Sequence, residues 1–358
     1  MKFCEIECFE IIVDKQIKRV YIGGEELNGE VRLKLRNRLK ITSLKLTFKG
    51  NGLVDWNNII YKWMKVYAEH FVEEEEYINL DIIQFFKITK NDFYLEAGEE
   101  IFPFKIQLPS NIPTSFDHEN ARIRYSLKAY IEGCSDNSVE CNRTTHLTLN
   151  IISPVDLNMS ASVLMLPKSV EKIKIVNFLF FSAPIEANFS IFKSGYVPGE
   201  RLKFLAIINN KTLFDIQKVV CWLVQIIKCK TKISECDFQK VVLKENSNLK
   251  FTKNSCTRWE SSLKIPPICA TSDNKSKIID ISYQVKLLIK PTFVHKCFHL
   301  FIPITIGTKP LLTEDKSLTV FKNYIFKFEP VDSMKDKISE SNSNMTLYYP
   351  FYDGTLKN

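Results

Sequence analysis

Tyr196-Val197-Pro198-Gly199-Glu200-Arg201-Leu202 decides how this chain reads, because the segment has a counterpart in Tyr21-Ile22-Gly23-Gly24-Glu25-Glu26-Leu27. Both fit Tyr-[Ile/Val]-x-Gly-Glu-x-Leu. Each runs into an alternating apolar stretch: Val31, Leu33 and Leu35 after the first, Leu202, Phe204, Ala206 and Ile208 within and after the second. Alternation of this kind marks a half-buried strand. A glycine fixed in the turn before it predicts a backbone position with φ > 0. The echo continues in order, with Ile123-x-Tyr125-x-Leu127-Lys128-x-x-Ile131 matched by Ile281-x-Tyr283-x-Val285-Lys286-x-x-Ile289. Each of these follows a Leu/Ile-Pro segment, Leu108-Pro109 to Pro113 and then Ile265-Pro266-Pro267. Two ordered matches at similar offsets predict a duplicated unit.

Bulk composition agrees with two packed units. The chain has 358 residues, 45% of them hydrophobic and 12% aromatic, with 26 Phe. That suffices for two cores and excludes a disordered chain. The net charge of +8 is mild; it permits acidic partners without requiring them. Acids among Met1-Lys2-Phe3-Cys4-Glu5-Ile6-Glu7 argue against a signal peptide. The most apolar run, Val219 to Ile227, is too short to span a bilayer. Ten cysteines scattered through a chain this long favour reduced thiols and a cytoplasmic setting.

Along the chain, short strands alternate with polar turns and no long amphipathic helix appears, which predicts an all-β fold of antiparallel sandwiches. The boundaries fall at residues 1–155 for a first sandwich, 156–170 for a linker, 171–308 for a second sandwich and 309–358 for a partly disordered tail. Trp56 to Phe71 reads as strand or short helix. The acidic run Glu73-Glu74-Glu75-Glu76 reads as a solvated loop.

With these segments assembled, the chain resembles the arrestin-domain-containing (α-arrestin) family. The resemblance rests on Val20 to Leu27 with Gly29 and Val31, on Phe48-x-Gly50…Trp56, and on Ala97-Gly98…Phe102-Pro103-Phe104. It continues with Leu108-Pro109…Pro113-x-Ser115-Phe116 and Arg124-Tyr125. In the second unit it rests on Gly195 to Glu200 with Asn209-Asn210, Ile265-Pro266-Pro267, Ile281-x-Tyr283 and Pro303-Ile304-x-Ile306-Gly307-Thr308. The resemblance covers roughly residues 3–310. It implies two tandem immunoglobulin-like sandwiches and a non-enzymatic adaptor in the trafficking, endocytosis and ubiquitination of membrane proteins. Its partners would be their cytoplasmic tails, with recruitment to plasma membrane or endosomes. Family members that recruit ubiquitin ligases carry Pro-Pro-x-Tyr in the tail. Here Pro266-Pro267-Ile268-Cys269 is not that motif, and the tail offers Tyr348-Tyr349-Pro350-Phe351-Tyr352. The buried charged cluster that senses receptor phosphates in visual and β-arrestins has no residue-by-residue match in this sequence.

Lys15, Lys18 and Arg19, beside the first hairpin, are candidates to pair with phosphates or acidic peptides. Arg122, Arg124 and Lys128, with Arg32, Lys34 and Arg36, would extend that surface if they shared a face. The plain alternative for all of them is a solvated polar face. His295, Cys297 and His299 would share one face of a strand and merit a metal check, although zinc wants a fourth ligand. Phe102, Phe104, Trp222 and Trp259 read as packing residues. No Gly-x-Ser-x-Gly, Walker-type loop, His-Glu-x-x-His or Gly-x-Gly-x-x-Gly is present, so no enzyme and no cofactor is expected. Dispersed basic residues and the lack of a recognition helix argue against nucleic acid. Two other readings stay open: a secreted β-sandwich adhesion module, suggested by the cysteines and sequons, and a metal-dependent enzyme at His295, Cys297 and His299.

Overall fold

The structure, a computed structural model, describes residues 5–62, 65–85, 93–134, 140–178, 180–292, 297–312, 325–331 and 346–353. The first unit contains β1 (Ile6–Val13), β2 (Val20–Ile22), β3 (Glu26–Leu35), β4 (Leu39–Lys62), β5 (Lys65–Phe85), β6 (Phe93–Leu95), β7 (Gly98–Gln107), β8 (Phe116–His118), β9 (Ala121–Cys134) and β10 (Arg143–Ile152). A short 3₁₀ turn and the four-residue α1 (Ala161–Leu164) follow. The second unit contains β11 (Lys168–Phe178), β12 (Phe181–Ile191), β13 (Gly195–Tyr196), β14 (Arg201–Asn210), β15 (Ile216–Lys230), β16 (Glu235–Asn246), β17 (Ser255–Lys264), β18 (Ile279–Pro291) and β19 (Phe298–Ile306).

The sheets show the duplication directly. In the first unit β1-β3-β7 faces a sheet of order β2-β10-β9-β4-β5, to which β6 and β8 attach. In the second, β11-β12-β14-β17 faces β13-β19-β18-β15-β16. The two five-strand orders correspond position by position, and each begins with a short strand pairing parallel to its neighbour. Alternation does the sorting between core and solvent, since period 2 sends successive side chains to opposite faces. In β9, Ala121, Ile123, Tyr125, Leu127, Ala129 and Ile131 are buried while Arg122 and Lys128 are exposed.

The repeated motif is copied at the level of atoms. Gly24 and Gly199 both have left-handed φ, +91° and +97°. Glu25 Oε2 accepts from the Ile22 N–H at 2.9 Å, and Glu200 Oε2 accepts from the Val197 N–H at 2.9 Å. Each glutamate also holds a lysine, Lys15 at 2.7 Å and Lys193 at 3.0 Å. Those ammonium groups lie over the rings of Tyr21 and Tyr196 at 4.8 and 4.9 Å. The second repeated segment behaves alike. The buried Tyr125 hydroxyl donates to the Pro113 carbonyl at 2.7 Å, and the Tyr283 hydroxyl to the Cys269 carbonyl at 2.6 Å. Tyr283 also accepts from the buried Gln225 side chain. Tyr283→Phe therefore strands a donor and an acceptor, whereas Tyr125→Phe strands one acceptor. Each orphaned buried group costs about 1–3 kcal/mol. Denaturant midpoints should fall in the order wild type, Tyr125→Phe, Tyr283→Phe; equal shifts would refute this account.

Two long strands and two tail strands go beyond the expected short elements. β4 and β5 run 24 and 21 residues as one antiparallel pair. Trp56 and Phe71 face one another on it with ring centroids 5.3 Å apart, so the described residues of this segment, 56–62 and 65–71, are strand. The acidic run is a correction to the sequence reading: Glu73 to Glu76 lie within β5 and not in a loop. Beyond residue 308, β20 (Ile325–Pro330) and β21 (Tyr348–Asp353) pair with each other and return to the sandwiches.

Candidate functional site

The seam between the sandwiches is closed by side chains that β5 and the β15–β16 hairpin send across. Lys232 meets Glu73 at 3.6 Å, and its N–H also donates to Glu73. Glu75 accepts from the Ser276 hydroxyl and the Lys277 N–H, while Tyr77 donates to Ser276 at 2.8 Å. The Tyr77 hydroxyl is held protonated by burial beside Glu75. Lys275 spans from Asp273 to Ser153. Phe238 packs edge-on to Trp56 and against His118. A cavity of about 20 Å³, lined by Thr114, Ser153, Lys275 and Ser276 among others, leaves room for a single water.

His118 sits on this seam with Phe238, Asp117, Glu119 and Lys240 around it. Burial, and after it the Lys240 charge opposing the nearby carboxylates, holds its imidazole below the ordinary value. A histidine with a depressed folded value takes up its proton more readily when unfolded. The fold therefore loses stability as pH falls from about 6.5 toward the lowered value. Thermal melts from pH 7.5 to 5.5 should show a decline that His118→Gln lessens; an unchanged decline would rule His118 out.

The basic candidates occupy three places. Lys15 is engaged by Glu25 and Tyr21. Lys18 donates to the Phe328 carbonyl of β20 at 2.7 Å and lies 5.5 Å over the Tyr348 ring of β21. Arg19 adopts φ +52°, and its carbonyl accepts from the Asn150 N–H. Asp14 to Lys18, Val20 and Phe328 line an open groove of about 480 Å³, with Ile17 at its lip 95% exposed. Arg122, Arg124 and Lys128 project from the outer face of β9, and the order β2-β10-β9 sets them two strands from β2. Arg124 pairs with Asp117 at 3.1 Å. Arg32 and Lys34 lie on a different sheet, where Arg32 meets Glu10, Glu30 and Glu99 and Lys34 meets Glu7. They do not extend the groove.

The tail, which sequence reading did not place, borders that groove. The Tyr349 hydroxyl donates to the Ser115 carbonyl, and the Asn150 amide donates to the Tyr348 carbonyl, both in the first unit. The Tyr352 N–H donates to the Pro198 carbonyl, the Tyr352 hydroxyl to Thr308, and Asp353 pairs with Lys264, all in the second. β21 thus straps one sandwich to the other. Its signal in the sequence was the run of aromatics at Tyr348 to Tyr352.

Of the metal candidates, His295 lies outside the described residues. His299 is kept below its ordinary value by burial and by Lys286 and Lys172. Among the described residues no three His, Cys, Asp or Glu side chains group as metal ligands. Phe102, Phe104 and Trp259 are buried, whereas Trp222 lies half-buried beneath the Lys286 ammonium. Cys8, Cys221, Cys229, Cys236, Cys256, Cys269 and Cys297 are free thiols. Among the described residues no helix is long and apolar enough to cross a membrane.

Two copies of one sandwich, joined by a packed seam, define a tandem β-sandwich protein. Comparison with known proteins then supplies the family. Residues 9–158 match arrestin (or S-antigen), N-terminal domain, and residues 182–311 match arrestin (or S-antigen), C-terminal domain. Arrestin domain-containing protein 17 of Caenorhabditis elegans is 26% identical over 321 residues, 87% of this chain and 72% of that protein. Arrestin domain-containing protein 1 of Mus musculus is 26% identical over 308 residues, covering 86% and 66%. Arrestin domain-containing protein 4 of Homo sapiens is 25% identical over 313 residues, covering 85% and 72%. The chain belongs to the arrestin family.

Proposed function

We propose that this protein is a non-enzymatic adaptor that binds cytoplasmic segments of membrane proteins and directs their trafficking, endocytosis or ubiquitination. The observation that carries the reading is the match to both arrestin domains in order over most of the chain. The groove at Asp14 to Val20 is the contact for an acidic or phosphorylated cargo segment, with Lys18 at its wall and Arg19 next to Lys18 in the chain. Arg122 and Lys128, which have no ion pair among the described residues, extend the contact. Lys15 and Arg124 are already engaged by Glu25 and Asp117 and contribute less. Charge-assisted bonds from Lys and Arg to phosphate suit such a groove. The protein acts from the cytoplasm and is drawn to plasma membrane or endosomes by its cargo.

Proximity labelling and co-precipitation from cells test this reading, with the double variant Lys18→Glu, Arg19→Glu alongside wild type. Membrane and endosomal proteins should be recovered with wild type and depleted with the variant. Recovery of none with wild type would defeat the adaptor reading. Undiminished recovery with the variant would defeat the groove.

A further inference from the structure

The strand register sets two thiols against each other at the seam. β15 and β16 pair antiparallel with Cys229 directly opposite Cys236. This is the one cysteine pair placed so by the register among the described residues, and both thiols are free. Hydrogen bonding fixes which kind of pair it is. The Thr231 N–H donates to the Ser234 carbonyl, closing the turn, and the Lys230 N–H turns the other way to the Ile278 carbonyl of the adjoining loop. Bonded and non-bonded pairs alternate along an antiparallel ladder, so 229 and 236 form a bonded pair with Cα atoms about 5.5 Å apart. That falls within the roughly 4.4–6.8 Å a disulfide spans. Both side chains leave the same face of the sheet, since partners in register always do.

We propose that Cys229 and Cys236 are a reversible redox site, closed to a cross-strand disulfide by a small-molecule disulfide such as oxidised glutathione. Cys236, half-buried beside the turn, is the thiol the oxidant meets. Its thiolate attacks one sulfur of the oxidant, whose S–S bond breaks. One glutathione thiol leaves, and a mixed disulfide remains on Cys236. Cys229 then loses its proton and attacks the Cys236 sulfur, expelling the second glutathione thiol. Two protein thiols are oxidised and one small disulfide is reduced to two thiols. Cys229 suits the second role, because burial, and after it the neighbouring Cys236, pushes its thiol up to about 12. A thiol so protonated is a poor first nucleophile but resolves a disulfide held against it.

The position gives the bond a reach beyond the hairpin. Cys229 Sγ lies 4.0 Å from the Asn120 carbonyl of the first sandwich. The turn between the two cysteines carries Lys232, which pairs with Glu73 across the seam. Closing the bond draws Cys229 from Asn120 and pins the turn. Cross-strand geometry at a bonded pair is strained, which favours a bond readily reduced over a permanent one.

The test uses the full chain, reduced with dithiothreitol, freed of it, and incubated with oxidised glutathione. Remaining thiols are alkylated and peptides mapped by mass spectrometry. The expected result is a peptide linked through Cys229 and Cys236, lost again on adding dithiothreitol. Cys229→Ser should retain glutathione on Cys236 because nothing resolves it. In Cys236→Ser, Cys229 should alkylate more than about tenfold slower than the exposed Cys256. Wild-type mapping needs no substitution and so stands if a variant misfolds. Recovery of Cys229 and Cys236 both alkylated, or a wild-type adduct on Cys236 that never resolves, would overturn the proposal.

Discussion

Tyr349→Ala should free the β20–β21 hairpin from both sandwiches while leaving the sandwiches folded. Tyr349 is 3% exposed, although it lies far beyond the second sandwich in sequence. Its hydroxyl reaches the Ser115 carbonyl of the first unit at 2.9 Å. The same hydroxyl lies against the Cys269 thiol of the second, where burial raises both the phenol and the thiol, the latter to about 12. Removing a buried aromatic side chain costs about 3–5 kcal/mol. A two-stranded hairpin has little stability of its own to offset that loss. Limited proteolysis should then cut near 346–353 in the variant and spare wild type. Tyr349→Phe keeps the ring and gives up the hydroxyl, so it should cost about 1–3 kcal/mol, mainly from the orphaned Ser115 carbonyl. Equal protease resistance in wild type and Tyr349→Ala would show that β21 is not anchored through this residue.

The anchor explains why the tail was hard to read in advance. A sequence reports what a segment does with its neighbours in the chain, and β20 and β21 are too short and too far apart to show a pattern. Their partners, Ser115, Asn150, Pro198 and Thr308, are spread over most of the chain. Glu73 to Glu76 misled for a related reason. Four adjacent acids repel one another locally and suggest solvent. In a strand they alternate, so Glu73 and Glu75 turn to the second sandwich while Glu74 and Glu76 meet Asn51 and Lys49. The partners that make the strand worthwhile lie 159 and 202 residues away. The duplicated motif was legible because its bonds close within a few residues: Glu25 to Ile22 and Glu200 to Val197. Of the basic candidates, residue type could place Lys15 near the hairpin. It could not show that Glu25 and Tyr21 already hold it, or that Lys18 meets the tail.

Gly199→Ala should be far more disruptive than Gly24→Ala, although the two glycines occupy the same place in the repeated motif. Both have left-handed φ, so each substitution carries a backbone cost of about 1–2 kcal/mol for a residue with a Cβ. At Gly24 that is nearly the whole effect, because the nearest atom to an added Cβ is Ser110 Cβ at 3.7 Å, an ordinary contact. At Gly199 the added carbon would meet the Tyr352 carbonyl oxygen at 2.0 Å and its carbonyl carbon at 2.7 Å. Those are backbone atoms of β21 and cannot rotate aside. The strand must lift, and it would take with it the bonds from Tyr352 to Pro198 and Thr308. Gly24→Ala should therefore lower the denaturation midpoint and leave protease resistance at 346–353 as in wild type. Gly199→Ala should lower the midpoint further and expose that segment, as Tyr349→Ala does. Combining Gly199→Ala with Tyr349→Ala should cost less than the sum, since each releases the same strand. Additive losses would mean that the second copy of the motif does not seat the tail, and that its glycine answers only to the turn.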